Sequence, residues 1–263
     1  MKLVRTIALL SARDVLRSRW GVVFLLFFLA ATEGMLQISG QVAKSLLNLI
    51  NLSILLLPLI SVIFGTIYFY NSREFVELLL TQPVRRGVVL SGMFMGLTAS
   101  LALCYWIGTT IPFVFHGLLF GETALTLGML LAVGALLILS FVGLAFLTAV
   151  YFDDRGKGIG IAMLSWLTLA VVFDGILLLI VYQFSEYPIE RLLLALTLLN
   201  PIDLGRIALI LRTDFAALMG HSGALFRDFF GAGWGTAVSI ASLLLWSTLP
   251  FLLSLRRFQR KDF

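Results

Sequence analysis

Cysteine is nearly absent from this chain. Its 263 residues hold one, Cys104, inside an apolar run, so no disulfide framework can form. The two histidines, His116 and His221, are far apart, and no CxxC or i,i+4 ligand pair accompanies them, which argues against direct metal binding. Met93 and Met95 are spaced i,i+2 and point to different faces of a helix, and the seven methionines as a group are ordinary gap-fillers. Met219 and His221, on either side of Gly220, are a weak soft-ligand candidate. Charge is scarce as well, at 13% of residues, too little for a separate soluble domain. The net charge of +5 has no soluble basic face through which to read nucleic acid. ATP-binding signatures are missing. Gly156-Lys157 in the stretch DDRGKGIG lacks the upstream glycine and the following Ser or Thr of a phosphate-binding loop. No nucleophile–base pair is readable, and strand-like alternation is missing too, which excludes a β-barrel.

What is present is apolar length. The chain is 60% hydrophobic, with a mean hydropathy of +1.04. Several runs reach the ~20 residues that cross a bilayer as helix. This is the pattern of an all-α polytopic membrane protein. Six spans are expected: Trp20–Ile38, Leu46–Tyr70 with Pro58 inside it, Val88–Phe115, Ala124–Phe152, Ile161–Tyr182 and Trp234–Leu255. Residues 1–19 read as an in-plane interfacial helix. Leu3, Val4, Ile7, Ala8, Leu10 and Val15 lie on one side, and Lys2, Arg5, Arg13 and Arg17 lie opposite, toward anionic lipid, with Leu9 and Leu16 as exceptions. The charges extending through Arg19 and the lack of a small-residue cleavage pattern mark a retained anchor rather than a cleaved signal. The small residues Gly92, Gly128, Ala132, Gly134 and Ala135 invite close helix packing.

Between spans two and three lies one polar, helix-forming island, Asn71 to Arg86 (NSREFVELLLTQPVRR). Asn71 reads as its cap, Glu74 completes a capping-box-like start, and Pro83 stops it. Phe75, Val76, Leu78, Leu79 and Leu80 form an apolar side, while Arg73 and Glu77 are spaced i,i+4 on a polar one. Such a helix either lies on headgroups or docks into a partner protein. Asp153–Gly160 reads as a tight polar loop. In residues 184–231, the Arg191–Leu199 run is too short to cross, and Asn200-Pro201-Ile202-Asp203 is a strong helix start expected to run to Met219. Asp203 and Arg206, with Arg212 and Asp214 beyond, suggest a wet surface there. Glu33 and Asp174 are the two acids inside spans, where an unpaired charge costs at least ~2.5 kcal/mol. Each is a candidate for a transport path or for a structural pair, and for Asp174 the nearby hydroxyls of Ser165 and Thr168 are available partners.

Loop charges set the orientation. The N-terminus carries five Lys and Arg, the island three, the Asp153–Gly160 loop two and the tail four, fourteen in all. The other side carries five: Lys44, Arg191, Arg206, Arg212 and Arg227. By the positive-inside rule both termini and the island face the cytoplasm, and residues 184–231 face outward.

This order of parts resembles an ABC-2 type permease, the membrane half of an ABC exporter. The words YNSREFVELLLTQPVRR, LSWLTLAVVFDGILLLIVY and NPIDLGRIALILRTDFAALMGHSGALFRDFFG resemble, more closely, the permeases that serve nitrous oxide reductase maturation. The resemblance covers the whole chain as one transmembrane domain. It implies a type V exporter fold with a connecting helix (1–19), a coupling helix (71–86) and outward re-entrant helices (184–231). It implies a multi-pass homodimer in a bacterial inner membrane, with two copies of a separate ATPase that binds ATP and Mg. No cofactor is expected on this chain. Lipid surrounds it, and a periplasmic copper-handling β-helix protein is the further partner. The implied task is copper-centre assembly in denitrification, by export of a sulfur species or by conformational work. Arg73, Glu74, Phe75, Glu77, Leu78, Arg85 and Arg86 are the expected ATPase contacts. Asn200, Asp203, Arg206, Arg212 and Asp214 are the expected periplasmic contacts. A generic ABC-2 exporter of a lipid, drug or glycan fits nearly as well, and a motor-independent membrane enzyme or assembly factor is a third reading.

Overall fold

A computed structural model describes residues 2–81, 84–184, 190–211 and 221–260. Among these residues every regular element is helical. Six helices are long and apolar enough to cross a membrane, matching the six expected spans in order. Helix α1 (Lys2–Arg17) precedes α2 (Arg19–Ser39), α3 (Val42–Asn71), a short α4 (Arg73–Leu80), α5 (Arg86–Phe115) and α6 (Gly121–Tyr151). Span five is composite: α7 (Arg155–Leu167), a π turn (Thr168–Val172) and α8 (Phe173–Gln183). Then follow α9 (Glu190–Thr197), α10 (Pro201–Ile210) and the long α11 (His221–Arg260).

The boundaries depart from the sequence reading where helices claim residues expected in loops. Span two runs one residue further than expected, through Asn71. That residue is therefore helical, and Ser72, with no side-chain cap bond, turns the chain into α4. The Asp153–Gly160 loop is mostly helix. Asp154 caps α7, its carboxylate accepting from the Lys157 N–H at 2.7 Å. The last helix starts at His221 instead of Trp234 and continues through the basic tail to Arg260. Residues Gln82, Pro83 and 212–220, with the expected stop at Pro83 and the expected run to Met219, lie outside the described residues. The internal prolines Pro58, Pro112 and Pro250 do not end their helices, as neighbouring helices in a membrane bundle allow.

One end of the bundle holds α1, α4, the α6–α7 turn and the C-terminal part of α11. Here Gly87 at the start of α5 lies beside Gln259 and Leu255. The other end holds the α2–α3 and α5–α6 turns. Helix α6 is central and packs against α3, α11, α10 and α5. Its buried face includes Val133, Leu137, Phe141 and Phe146. A core near the terminal end gathers Phe28, Phe69, Leu97, Tyr105 and Phe146. A second core toward the opposite end gathers Leu49, Leu130, Leu204 and Leu243. Span five packs least against the rest of the chain, with Leu164, Leu178 and Leu179 exposed.

Helix α1 is docked rather than merely lying on lipid. Its stripe of Val4, Ile7, Ala8, Ser11 and Val15 faces α5. Gly92 and Gly96 make the seam possible: a Cβ on Gly96 would stand 2.5 Å from the Ala8 carbonyl oxygen. The Ser100 hydroxyl donates to the Ala12 carbonyl at 3.2 Å across the same seam. Leu3 and Leu10, read on the same apolar side of α1, are exposed, because the stripe that packs on α5 is rotated toward Ile7 and Ser11.

Candidate functional site

Two regions bring sequence-predicted residues together, one at the terminal end of the bundle and one part-way along span five. At the terminal end is α4. Its residues divide as helical periodicity requires. Val76 is buried, Leu79 and Leu80 are half-buried against the core, and Glu74, Phe75, Glu77 and Leu78 form one exposed sector. Leu78 is 68% exposed and Phe75 43%, so two large apolar side chains stand outward beside the Glu74 and Glu77 carboxylates. The expected Asn71–Glu74 capping box does not form, because Asn71 belongs to α3. What fixes α4 is a bracket. Arg73 pairs with Glu77 at 3.3 Å, as its spacing predicted, and also with Asp153 at 3.4 Å. Tyr70, just before α4, donates its hydroxyl to the Phe152 carbonyl at 2.6 Å, with the Asp154 carbonyl 3.3 Å away. The helix is thereby tied to the cap of span five. Sequence reasoning missed Asp153, whose only signal was an acid on the same side as Arg73. Arg85 is exposed and Arg86 half-buried at the start of α5, on the same end as α4.

The second region is a polar cluster where span five meets α10. Asn200 is the cap of α10, its Oδ1 accepting from the Ile202 N–H at 3.1 Å. Its amide donates to Asp203 at 2.9 Å and to the Leu169 carbonyl at 2.8 Å. Leu169 lies in the π turn, where one residue is inserted into the helical ladder, so that ladder and the α10 cap are locked together. Arg206 bridges Asp174 and Asp203, at 3.4 Å from each. Asp174 therefore pairs with α10. The Ser165 and Thr168 hydroxyls, considered as its partners, bond instead to the Ala162 and Leu164 carbonyls one turn back.

Asn200 and Asp203, expected to face a periplasmic partner, are buried, and only Arg206 of that described trio is partly exposed. The reason is that α10 is buried along its length, with Gly205 pressed on Leu137 and Val133 of α6. Burial, followed by the Asp174 charge, pushes the Asp203 carboxyl up to about 7, against the pull of the Arg206 guanidinium and the Asn200 amide. Arg212 and Asp214 lie outside the described residues, as does Met219, and the His221 side chain is likewise not described.

Glu33 sits apart from both regions. It accepts from the Gln37 amide at 2.6 Å and faces His116 Nε2 at 3.0 Å, at the end opposite the termini. On sequence alone His116 is weighed only as a metal ligand and has no partner. The structure places it at the end of α5 beside Glu33 of α2. Among the described residues, no group of three or more His, Cys, Asp or Glu could hold a metal ion.

Among the described residues, six membrane-length helices, a braced amphipathic helix at the terminal end and a buried polar cluster before the last span make this a polytopic α-helical membrane protein. The family model of the ABC-2 family transporter proteins matches residues 5–263. Two relatives are called probable ABC transporter permease protein NosY. The one from Pseudomonas aeruginosa is 30% identical over 240 residues, covering 84% of this chain and 86% of its own. The one from Stutzerimonas stutzeri is 28% identical over 280 aligned positions, covering 99% of each chain. The chain belongs to the ABC-2 family of transporter permeases.

Proposed function

We propose that this chain couples ATP hydrolysis by a separate ATPase to export or conformational work in the copper-centre maturation of nitrous oxide reductase. The observation that carries the coupling role is the exposed sector of α4. Phe75 and Leu78 stand outward beside Glu74 and Glu77 on a helix braced through Arg73 and Asp153. Outward apolar anchors flanked by charge suit a helix that buries them in a groove of a partner. Two copies of the ATPase hold ATP and Mg, a second copy of this chain completes the permease, and lipid surrounds both. Arg85 and Arg86 flank the docking helix. The orientation that follows from the loop charges puts both termini and α4 in the cytoplasm, with the chain in a bacterial inner membrane. The maturation role rests on the resemblance to the relatives named NosY and on the words quoted above. It brings a periplasmic copper-handling β-helix protein as partner at the opposite end, with a sulfur species as the exported cargo. Arg206, Arg212 and Asp214 are the side chains of residues 184–231 assigned to that contact.

The test is co-purification of the tagged chain from native membranes, with mass spectrometry of what is retained. An ATPase together with a periplasmic β-helix protein is the expected result. An ATPase alone would reduce the reading to a generic ABC-2 exporter. Glu77→Lys is expected to abolish ATPase retention, and unchanged retention and turnover would remove the docking role from α4.

A further inference from the structure

A cavity of about 340 Å³ opens where α1 turns into α2 and meets the end of α3. It is separate from the α4 sector and from the Asp174–Arg206–Asp203 cluster. Its lining is graded. Asp14 and Ser18 from the end of α1, with Tyr68, Asn71 and Ser72 from the last turn of α3, form the polar side. One to two turns deeper along α3 come Ile67, Phe64 and Ile63, joined by Leu97 of α5. Trp20, 68% exposed at the start of span one, closes the apolar side edge-on to Phe64, with ring centroids 6.1 Å apart. Indole rings favour the headgroup boundary, so the polarity of the cavity runs in the same direction as that of a lipid leaflet.

The only charged side chain in this lining is a carboxylate, Asp14, although Arg13 and Arg17 are its close neighbours in sequence. Asp14 is exposed and has no ion-pair partner among the described residues. Neutral hydrogen-bonding groups complete the rim. The Tyr68 hydroxyl is engaged with Ser11 and Ser72, whereas the exposed Asn71 has its amide available for a phosphate oxygen.

We infer that this cavity is a binding site for a phospholipid with a primary ammonium headgroup. The ammonium pairs with Asp14, the phosphate meets Asn71 and Ser72, and the upper acyl chain lies on Ile63, Phe64, Ile67 and Trp20. The volume is that of a small ligand pocket, enough for a headgroup and the first methylenes while the rest of the chains stay in the bilayer. The selectivity opposes what the basic face of α1 alone would give. An anionic headgroup is attracted to the arginines outside, but inside the cavity it meets a carboxylate.

The experiment uses the full-length chain in nanodiscs of equimolar phosphatidylethanolamine and phosphatidylglycerol. Lipid retained after exchange into detergent is quantified by mass spectrometry. Phosphatidylethanolamine is expected to be enriched about fivefold, the scale of one partly exposed ion pair. Asp14→Asn is expected to abolish the enrichment, and Asp14→Lys to turn it toward phosphatidylglycerol. Ile67→Trp, which fills the apolar side, is expected to lower retention of both lipids. Equal retention of the two lipids by the wild type, or an enrichment that survives Asp14→Lys in a protein with unchanged melting, would overturn the assignment.

Discussion

Asp203 makes the stability of this protein depend on pH in a direction opposite to that of most carboxylates. Its proton is held up to about pH 7 in the folded chain and leaves near 3.8 in an unfolded one. The folded state therefore binds more protons between these values. The contribution of Asp203 is fully present below pH 3.8 and is lost as pH rises toward 7. A displacement of that size is worth ~4 kcal/mol at most. Asp174 and Arg206 are 37% and 40% exposed, and solvent screens their share. About 1–2 kcal/mol is the working figure, which corresponds to roughly 2–8 °C in melting temperature for a chain of this length. The assay is thermal melting of the purified chain in detergent at pH 5 and pH 8, beside Asp203→Asn. The variant keeps the shape and cannot ionise, so it is expected to melt above the wild type at pH 8, with the gap closing at pH 5. Because all other titrating groups are shared, the difference between the two curves isolates this site. Parallel curves across the pH range would refute the reasoning.

Other outcomes follow from the packing. Gly96→Val places side-chain atoms where the Ala8 carbonyl already sits and is expected to cost about 1–3 kcal/mol by overpacking, read as a lower melting temperature and proteolytic release of α1. Tyr105→Phe removes the buried bond to Ser53 at 3.2 Å and is expected to cost about 0.5–1.5 kcal/mol, with ATPase coupling retained. Arg73→Ala and Asp153→Ala are expected to show a coupling energy below ~1 kcal/mol in a double-mutant melting cycle, since both side chains are partly exposed. The same variants are expected to reduce ATPase stimulation much more than stability, and a proportionate loss of both would reduce the bracket to a folding contact.

The spans were legible because burial in lipid imposes an apolar length that any window of the sequence displays. The sign of the loop charges likewise showed which loops share an end. Helix limits were harder to see. Asn71 carries a good capping side chain, yet span two continues one residue further to include it, and two residues earlier Phe69 packs on Phe146 and Phe258. The partners of ionisable residues were hidden for a different reason. Asp174 and Arg206 are 32 residues apart and Glu33 and His116 are 83 apart, and no local pattern links them. The π turn has no signature in TLAVV, and without it the distant Asn200 gives no hint of bonding to Leu169. The α4 sector was half visible: Phe75 and Leu78 were read on an apolar side, and only the bundle shows that this side divides into an anchored half and an exposed half.

The seam between α1 and α5 also constrains the order of synthesis. The Ala12 carbonyl and the Ser100 hydroxyl that meet there are 88 residues apart. At roughly 5–20 residues per second the ribosome needs about 4–18 s to deliver the second half of the contact after the first has emerged. Through that interval α1 has no α5 to bind, and its apolar stripe needs another apolar surface. The acyl boundary of the bilayer provides one, with the arginines of the other face among the headgroups. The amphipathic pattern thus serves two successive hosts: the bilayer surface while the chain is being made, and the glycine-lined flank of span three once it is complete.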